Sequence, residues 1–360
     1  MHQFEIAVFP GDGIGTEVMD AAETVLKALQ SRFEIRLHCT RWDGGAAYYR
    51  ETGRELAEGA FEAARRADAI LFGAMGLPDV RLPDGTEIAP HLEMRRAFGL
   101  FAGVRPARKY PNTPQTLADP RAETIDLIVL RESTEGLFAS RGRGTVEDDR
   151  VARDTMEITR ATSEKLFDFA FKLARRRSDS GRGARRVTCV DKSNVFVSMA
   201  FFRAIFDERA AQASDVTSDR AYVDAVALDL VRKPWDFDVM VMENMFGDIL
   251  SDLCGGLVGG MGMAPCAEIG LEHGLFQPAH GSAPDIAGQG IANPTAMLVS
   301  TAMMLDWLGE RRGDARLVAA AASLDEAVWQ AYAGGTILPR ELGGTSGVRE
   351  VTRAVLEAIG

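Results

Sequence analysis

The sequence predicts an α/β fold divided into two domains, and three observations carry that expectation. Strand-like and helix-like patterns alternate over most of the chain, the signature of a largely parallel sheet covered by helices. With 360 residues the chain is longer than one hydrophobic core usually organises. A stretch dense in turn residues, Ala107 to Ala122, changes the texture after about Arg105 and announces a second α/β unit. Hydrophobic residues make up 46% and charged residues 26%, ordinary values for a globular chain that can bury a substantial core.

Taken in order, the patterns place a strand over Phe4–Phe9, a helix over Glu17–Gln30, a strand over Phe33–Cys39, a helix over Leu56–Arg66 and a buried strand over Ala69–Phe72. A second buried strand covers Thr124–Leu130. A long helix follows over Met156–Arg175, where Leu166, Phe167, Ala170, Phe171 and Ala174 recur at helical spacing and should be core. Between them FASRGRGTVEDDR, Phe138 to Arg150, carries glycines and both charge signs without a core pattern, and reads as an exposed hairpin or arm. Val187–Val190 and Asp238–Met242 read as strands, and Phe246–Leu253 as a helix ended by Gly255 and Gly256. A glycine-rich apolar run and the loop-like HGSAPDIAGQGIANP lead into three helices, Thr295–Leu308, Asp314–Ala333 and Gly347–Ile359. No internal repeat interrupts this order.

A net charge of −11 argues against nucleic acid as a partner, because phosphate binding needs a basic surface. One basic cluster, Lys172 to Arg186, runs against that balance and reads as a solvated helix end and surface loop. Cys39, Cys189, Cys254 and Cys266 are scattered without a disulfide framework, and no apolar run approaches the ~20 residues needed to span a bilayer. A cytoplasmic protein without a membrane partner is the expectation.

FPGDGIGTE, Phe9 to Glu17, resembles a dinucleotide turn but fails the Rossmann spacing, since counting from Gly11 puts Thr16 where the third glycine belongs. What remains is a three-glycine turn that lets backbone approach closely, or an ordinary strand-to-helix turn. In ENMFGDILSD, Asp248 and Asp252 lie four apart, so a helix puts both carboxylates on one face. Oxygen-only ligands suit Mg²⁺ or Mn²⁺, and a wet surface pair is the competing reading. Zinc is disfavoured, because Cys254, Cys266, His273 and His280 lack the close pairs of zinc sites, and no G-x-S-x-G announces a serine nucleophile. Arg95, Arg105 and Arg131 stand at element ends, where forked guanidiniums suit carboxylates, although ion pairs with Glu132 or Glu135 would also occupy them. Lys192 follows a strand directly and can carry a proton if burial lowers its pKa; a snorkelling lysine is the alternative.

Together GDGIGTE, LEMRRAFGLFAGVRPA, RESTEG, DKSNV, YVDA, FGDILSD and HGSAPDIAGQGIANP resemble the β-decarboxylating dehydrogenases, the family of isopropylmalate, isocitrate, homoisocitrate and tartrate or D-malate dehydrogenases. The resemblance implies a two-domain isopropylmalate dehydrogenase-like fold with a non-Rossmann nucleotide site. Residues 1–104 with 259–360 would bind NAD, and residues 105–258 would carry substrate, metal and dimer contacts. It further implies that Arg95, Arg105 and Arg131 hold the malate carboxylates, that Asn194 and Val195 of DKSNV face the substrate, and that Asp224, Asp248 and Asp252 ligate Mg²⁺ or Mn²⁺. Lys192 would take the hydroxyl proton. Lys192 and Asp224 would come from the partner subunit of a homodimer with shared active sites.

The nucleotide would lie on Ile14, His280, Gly281, Ser282, Ala283, Pro284, Asp285, Ile286 and Asn293. Asp285 matches the acid that binds the adenosine ribose in NAD-using members, where a carboxylate repels a 2′-phosphate. K⁺ stands as a further candidate cation. The implied reaction is NAD- and metal-dependent oxidative decarboxylation of a 3-substituted malate-type hydroxy acid, 3-isopropylmalate-like. Tartrate, D-malate or homoisocitrate-type activity, or a catalytically altered or regulatory member, are the alternatives, and the substrate is in every case a small hydroxy di- or tricarboxylic acid.

Two departures stand out. Phe138 occupies the place of a tyrosine that protonates the enol in the family, and phenylalanine has no proton to give. Ile88, His91 and Leu92 occupy the stretch that lines the pocket for the 3-substituent, where His91 is polar.

Overall fold

The computed structural model describes residues 2–360. The chain forms two compact units, the first made of the residues up to Leu100 with Tyr110–Pro114 and Gly259–Gly360, the second of Phe101–Lys109 and Gln115–Val258. The first crossing therefore falls after Leu100 rather than after residue 104, because the strand that follows pairs along its whole length inside the second unit.

The first unit contains β1 (Gln3–Gly11), β2 (Arg36–Arg41), β3 (Ala69–Ala74), β11 (Pro265–Ile269) and β12 (Gly274–Pro278), in the order β2-β1-β3-β12-β11. The first four are mutually parallel and β11 is antiparallel to β12. Every residue of β3, β11 and β12 is buried, as expected for strands covered on both faces. The β11–β12 hairpin is absent from the sequence reading because its five-residue runs merge into glycine-rich surroundings. The helices are α1 (Gly15–Phe33), α2 (Ala46–Thr52), α3 (Ala60–Arg66), α4 (Pro90–Ala97), α9 (Thr295–Arg312), α10 (Ala315–Ala333) and α11 (Val348–Ile359). The α3 helix begins four residues later than its apolar pattern suggests, behind Gly59 in a left-handed conformation. The α9 helix is buried around most of its circumference, packed on β11, β12, α1 and α10. Tyr110–Pro114 are tied to α10: Tyr110 packs 5.1 Å from Tyr332 and Asn112 donates to the carbonyls of Tyr332 and Ala333 at 3.0 Å.

The second unit contains β4 (Ala102–Arg108), β5 (Asp126–Glu132), β8 (Arg186–Asp191), β9 (Thr217–Tyr222) and β10 (Val239–Met242), in the order β4-β5-β10-β8-β9. Four run parallel and β4 is antiparallel to β5. Its helices are α5 (Arg160–Asp179), α6 (Val197–Gln212), α7 (Val223–Arg232) and α8 (Asn244–Val258). Phe167 and Phe171 of α5 meet Phe202 and Phe206 of α6, so the periodic apolar stripe of α5 is core. The α8 helix does not stop at Gly255–Gly256. Cys254, Leu257 and Val258 are all buried, and packing outweighs the poor helix propensity of glycine. The exposed arm is a hairpin of β6 (Thr145–Glu147) and β7 (Val151–Arg153); Leu137–Ser140 form a separate 3₁₀ turn, so the arm lies later than Phe138–Arg150.

The basic cluster has a structural explanation. Arg175 pairs with Asp215, Arg177 with Asp126 and Asp238, Arg182 with Asp126, Arg185 with Asp179 and Arg186 with Asp219. These aspartates neutralise the arginines that a polyanion would need. Among the described residues no helix is long and apolar enough to cross a membrane.

Candidate active site

In the second unit the four parallel strands end together, and the candidate residues leave from those C-terminal ends, the usual place for ligands on such sheets. Arg131 of β5 stands opposite Met242 of β10, Met242 opposite Val190 of β8, and Asp191 opposite Tyr222 of β9. Lys192 thus follows β8, Asp224 lies in the first turn of α7, and α8 starts two residues beyond β10.

Arg131 is almost wholly buried, at 2% exposure. Its Nε and one terminal nitrogen donate to Asn244 Oδ1 at 2.9 and 2.6 Å, while the other terminal nitrogen donates to Asp248. Asn244 in turn donates from its amide to the carbonyl of Glu135 at 3.0 Å, so its own orientation is fixed. Asn244 is a site residue that the sequence reading overlooked, although it stands within ENMFGDILSD. Gly247 is required here: a Cβ would lie 2.6 Å from the Arg131 Cβ, so only glycine lets α8 cross this close. The Phe138 ring lies 5.0 Å from the Arg131 guanidinium carbon and covers it.

Arg105, on β4, donates to Ser251 Oγ at 3.0 Å and stands 3.9 Å from Asp252. Asp248 and Asp252 therefore share one face of α8, each beside an arginine. Burial holds the Asp252 carboxyl above its usual pKa, Arg105 opposes the shift, and neighbouring Asp248 adds to it. A cation would relieve that repulsion. Asp224 does not join them within one chain: it accepts from the Lys192 ammonium, which lowers its pKa, and no cluster of three metal-competent side chains forms among the described residues. Asn194 and Val195 lie exposed in the turn after Lys192.

The loops at the C-terminal ends of β1, β3 and β12 are knitted together in the first unit. Ile14 N–H donates to the Ser282 carbonyl at 2.8 Å, and Ser282 Oγ donates to the Gly76 carbonyl. Gly13, at φ +55°, lies so close that a Cβ would come within 2.0 Å of the Ser282 oxygen. Asp12 is the buried hub, accepting from the backbone of Ala46, Ala47 and Gly76 at 2.7 to 2.8 Å. Glu17 clamps the far end by accepting from Gly288 and Gly290. Neither acid was singled out from sequence; a carboxylate between the glycines of a tight turn was the available signal for Asp12.

The His280–Ile286 loop therefore stands against FPGDGIGTE. Ala283 takes a left-handed φ of +37°, uncommon for alanine and frequent at ligand loops. Gly281, Pro284 and Asp285 are exposed and Ile286 is half-buried. Burial depresses the His280 pKa, and its Nε2 has no hydrogen-bond partner among the described residues. That orphaned atom and the knitted loops fit a nucleotide. Asn293 contributes differently: its amide donates to Glu341 and its oxygen accepts from Thr295, so its backbone is what remains to offer.

Arg95 on α4 is 4% exposed and pairs with the fully buried Glu268 at 2.8 Å, leaving its Nε without a partner among the described residues. Ile88 is consumed in a small core with Ala46 and Val80. His91 and Leu92 are half-buried, and the His91 ring sits edge-on 5.7 Å from Phe72. Glu268, a lone acid in the apolar strand PCAEI, is a further residue the sequence reading passed over.

The parallel-stranded α/β fold, the arginines and aspartates near the strand ends and the knitted non-Rossmann glycine loop are those of a decarboxylating dehydrogenase, as the similarities of the chain show. The chain matches the isocitrate/isopropylmalate dehydrogenase family model over residues 5–359 and belongs to that family, the β-decarboxylating dehydrogenases. It is 38% identical to the 3-isopropylmalate/3-methylmalate dehydrogenase of Methanocaldococcus jannaschii, over 100% of this chain and 99% of that one. It is 37% identical to an Agrobacterium vitis protein named "Probable tartrate dehydrogenase/decarboxylase TtuC", over 100% and 97% of the two chains. Its structure superposes on the isocitrate dehydrogenase of Methylococcus capsulatus with a TM-score of 0.86 at 34% identity, covering 100% and 99% of the chains.

Proposed function

We propose that the protein oxidises a 3-substituted malate-type acid, of the 3-isopropylmalate kind, with NAD and a divalent cation, and releases CO₂. The observation that carries this reading is the strand-end constellation of Arg131, Asn244, Asp248, Arg105 and Asp252 in a chain similar throughout its length to 3-isopropylmalate dehydrogenases. Arg105 and Arg131 hold the carboxylates of the acid, and the buried Nε of Arg95 is assigned to the same task. Asp248 and Asp252, with Asp224 from a second copy, hold Mg²⁺ or Mn²⁺. When bound, the cation polarises the C2 hydroxyl and stabilises enolate charge, and NAD accepts the hydride. Lys192 takes the hydroxyl proton. NAD lies on Ile14 and the His280–Ile286 loop with Asn293, where Asp285 selects against a 2′-phosphate.

A homodimer is the active form in this reading. Leu228 and Val231 on α7, Ile249 on α8 and Val197 on α6 are large apolar side chains exposed in the isolated chain, and a second copy is the occupant that also delivers Lys192 and Asp224. Tartrate or D-malate is the second reading, supported by half-buried His91 where an isopropyl group prefers an apolar wall.

The test pairs NADH formation with CO₂ release, with Mn²⁺, across isopropylmalate, D-malate, tartrate, isocitrate and homoisocitrate. Equal amounts from isopropylmalate support the main reading. Preference for tartrate or D-malate selects the second, and NADH without CO₂ points to Phe138 as having changed the endpoint. No turnover with any acid removes the enzymatic reading in favour of a regulatory one.

A further inference from the structure

Lys192 is held from two sides, and only one of them is the aspartate already assigned. Its ammonium pairs with Asp224 and also lies 5.8 Å from the centroid of the Tyr222 ring, within cation–π range. The same ring carries a second cation, since the Arg203 guanidinium carbon stands 5.0 Å from its centroid. Arg203 reaches across from α6 to donate through Nε to Asp191 Oδ2 at 2.6 Å. Asp191 is wholly buried at the end of β8, and its other oxygen accepts from the backbone of Ser193 at 2.7 Å. The turn that presents Lys192 is thus pinned on its N-terminal side by Asp191 and on its C-terminal side by the Ser193 bond.

The connections close a circuit. Asp191 and Tyr222 are register partners on adjacent strands, Arg203 joins their side chains, and Lys192 and Asp224 follow those two residues in sequence. A buried carboxylate needs its counter-ion, so Arg203 cannot swing away without leaving Asp191 unpaired. A planar guanidinium bonded at one edge presents its face to the ring, which fixes Tyr222 in turn. We propose that Tyr222, held by the Arg203–Asp191 pair, is a positioning residue that places the Lys192 side chain, whose nitrogen takes up the hydroxyl proton once it has released its own to solvent. The proposal rests on the reading of Lys192 as the proton acceptor. It asks the aromatic face of Tyr222, not its hydroxyl, to do this.

The two parts of the side chain can be separated. Tyr222 is partly exposed, so its substitution spares the core, whereas an Arg203 variant risks unfolding by stranding Asp191. Tyr222→Phe keeps the face and Tyr222→Leu removes it. In the dimeric enzyme with Mn²⁺ and its best acid, Tyr222→Leu should lower kcat about 10- to 100-fold with KM changed less than about twofold, the signature of misplaced chemistry. Tyr222→Phe should stay within about twofold of the parent on both. A second readout needs no turnover. The chain has six lysines, so ¹³C reductive methylation gives few resonances, and the Lys192 signal is identified by its loss in Lys192→Arg. That signal should be shifted upfield by the ring in the parent and in Tyr222→Phe, and return to the ordinary lysine position in Tyr222→Leu.

An unshifted Lys192 signal in the parent, or a Tyr222→Leu enzyme with unchanged kcat, overturns the proposal. Equal loss in the Phe and Leu variants also overturns it, because the hydroxyl would then be the active part. If the parent oxidises no acid, the dehydrogenase reading fails on its own, while the methyl-lysine comparison still decides whether Tyr222 places the ammonium.

Discussion

Arg131 shows how a single residue in this protein is defined by what surrounds it. Asn244 and Asp248 each engage its nitrogens from one side and the Phe138 ring covers its face, so the guanidinium is oriented before any ligand arrives. Phenylalanine at position 138 preserves that cover but removes a proton donor. Phe138→Tyr should therefore raise kcat by about tenfold or more through a positioned general acid, with NADH and CO₂ still formed in equal amounts. An unchanged kcat would show that another group already supplies the proton. The neighbouring Glu132 gives a pH prediction. Burial raises its pKa from 4.5 to about 7, against the hydrogen bonds it accepts from Thr134 and Glu135. Between those values the folded chain holds more protons than the unfolded chain, so this group's contribution is fully present below about pH 4.5 and lost as pH rises to about 7. Urea unfolding at pH 5 and pH 7.5 should show the parent losing up to about 3 kcal/mol more than Glu132→Gln over that interval. A constant gap between the two proteins would contradict it. At the His280–Ile286 loop, proposed to carry the nucleotide, Asp285→Lys with Ile286→Tyr should move the kcat/KM ratio from NAD towards NADP by at least about tenfold, read in steady-state kinetics with both nucleotides.

At the scale of the element, α8 carries the most constraint. Asp248, the first helical residue Asn244 and the crossing glycine all serve Arg131 at the end of β5, while Asp252 stands beside Arg105 of β4. Gly247→Ala should push the helix off Arg131, costing about 1–3 kcal/mol of stability and lowering kcat/KM for the acid. Gly256, on the same helix, has open space around its missing Cβ. Gly256→Ala should leave activity intact and stabilise by up to about 1 kcal/mol, since only helix propensity changes. Thermal melts of the two variants side by side separate the roles, and like behaviour of both would remove the argument from Gly247.

For the whole molecule, the decisive expectation is that one active site draws on two chains. Lys192→Met and Asp248→Asn homodimers should each be nearly inactive. Hybrids of the two regain one intact site, so random reassociation should restore about a quarter of the parent activity. Failure of the mixture to recover, with hybrid formation verified by mass spectrometry, would place all ligands in one chain. Leu228→Glu with Ile249→Glu should yield a folded, inactive monomer by light scattering, because charge on that apolar face opposes a second copy.

The linear sequence displays the α/β class, the buried strands and long helices, and the motifs that carry the arginines, the paired aspartates and the glycine loop. These depend on short-range periodicity and spacing, which a linear chain displays. It misplaced the end of α8, the start of α3 and the first crossing between units, and missed the β11–β12 hairpin. Packing against distant residues carries α8 past its glycines, draws β4 onto β5 and orders the short hairpin runs, whereas at α3 the left-handed backbone of Gly59 delays the helix. It took the three-dimensional fold to show that Asp12 and Glu17 hold the loops after β1, β3 and β12, that Asn244 orients Arg131, that Glu268 pairs with Arg95, and that Asp191, Arg203 and Tyr222 surround Lys192. Those partners lie tens to hundreds of residues apart or on separate strands, and no local pattern encodes which buried charge will meet which. Burial forces the pairing, because an unpaired charge in the interior costs more than the fold can spare.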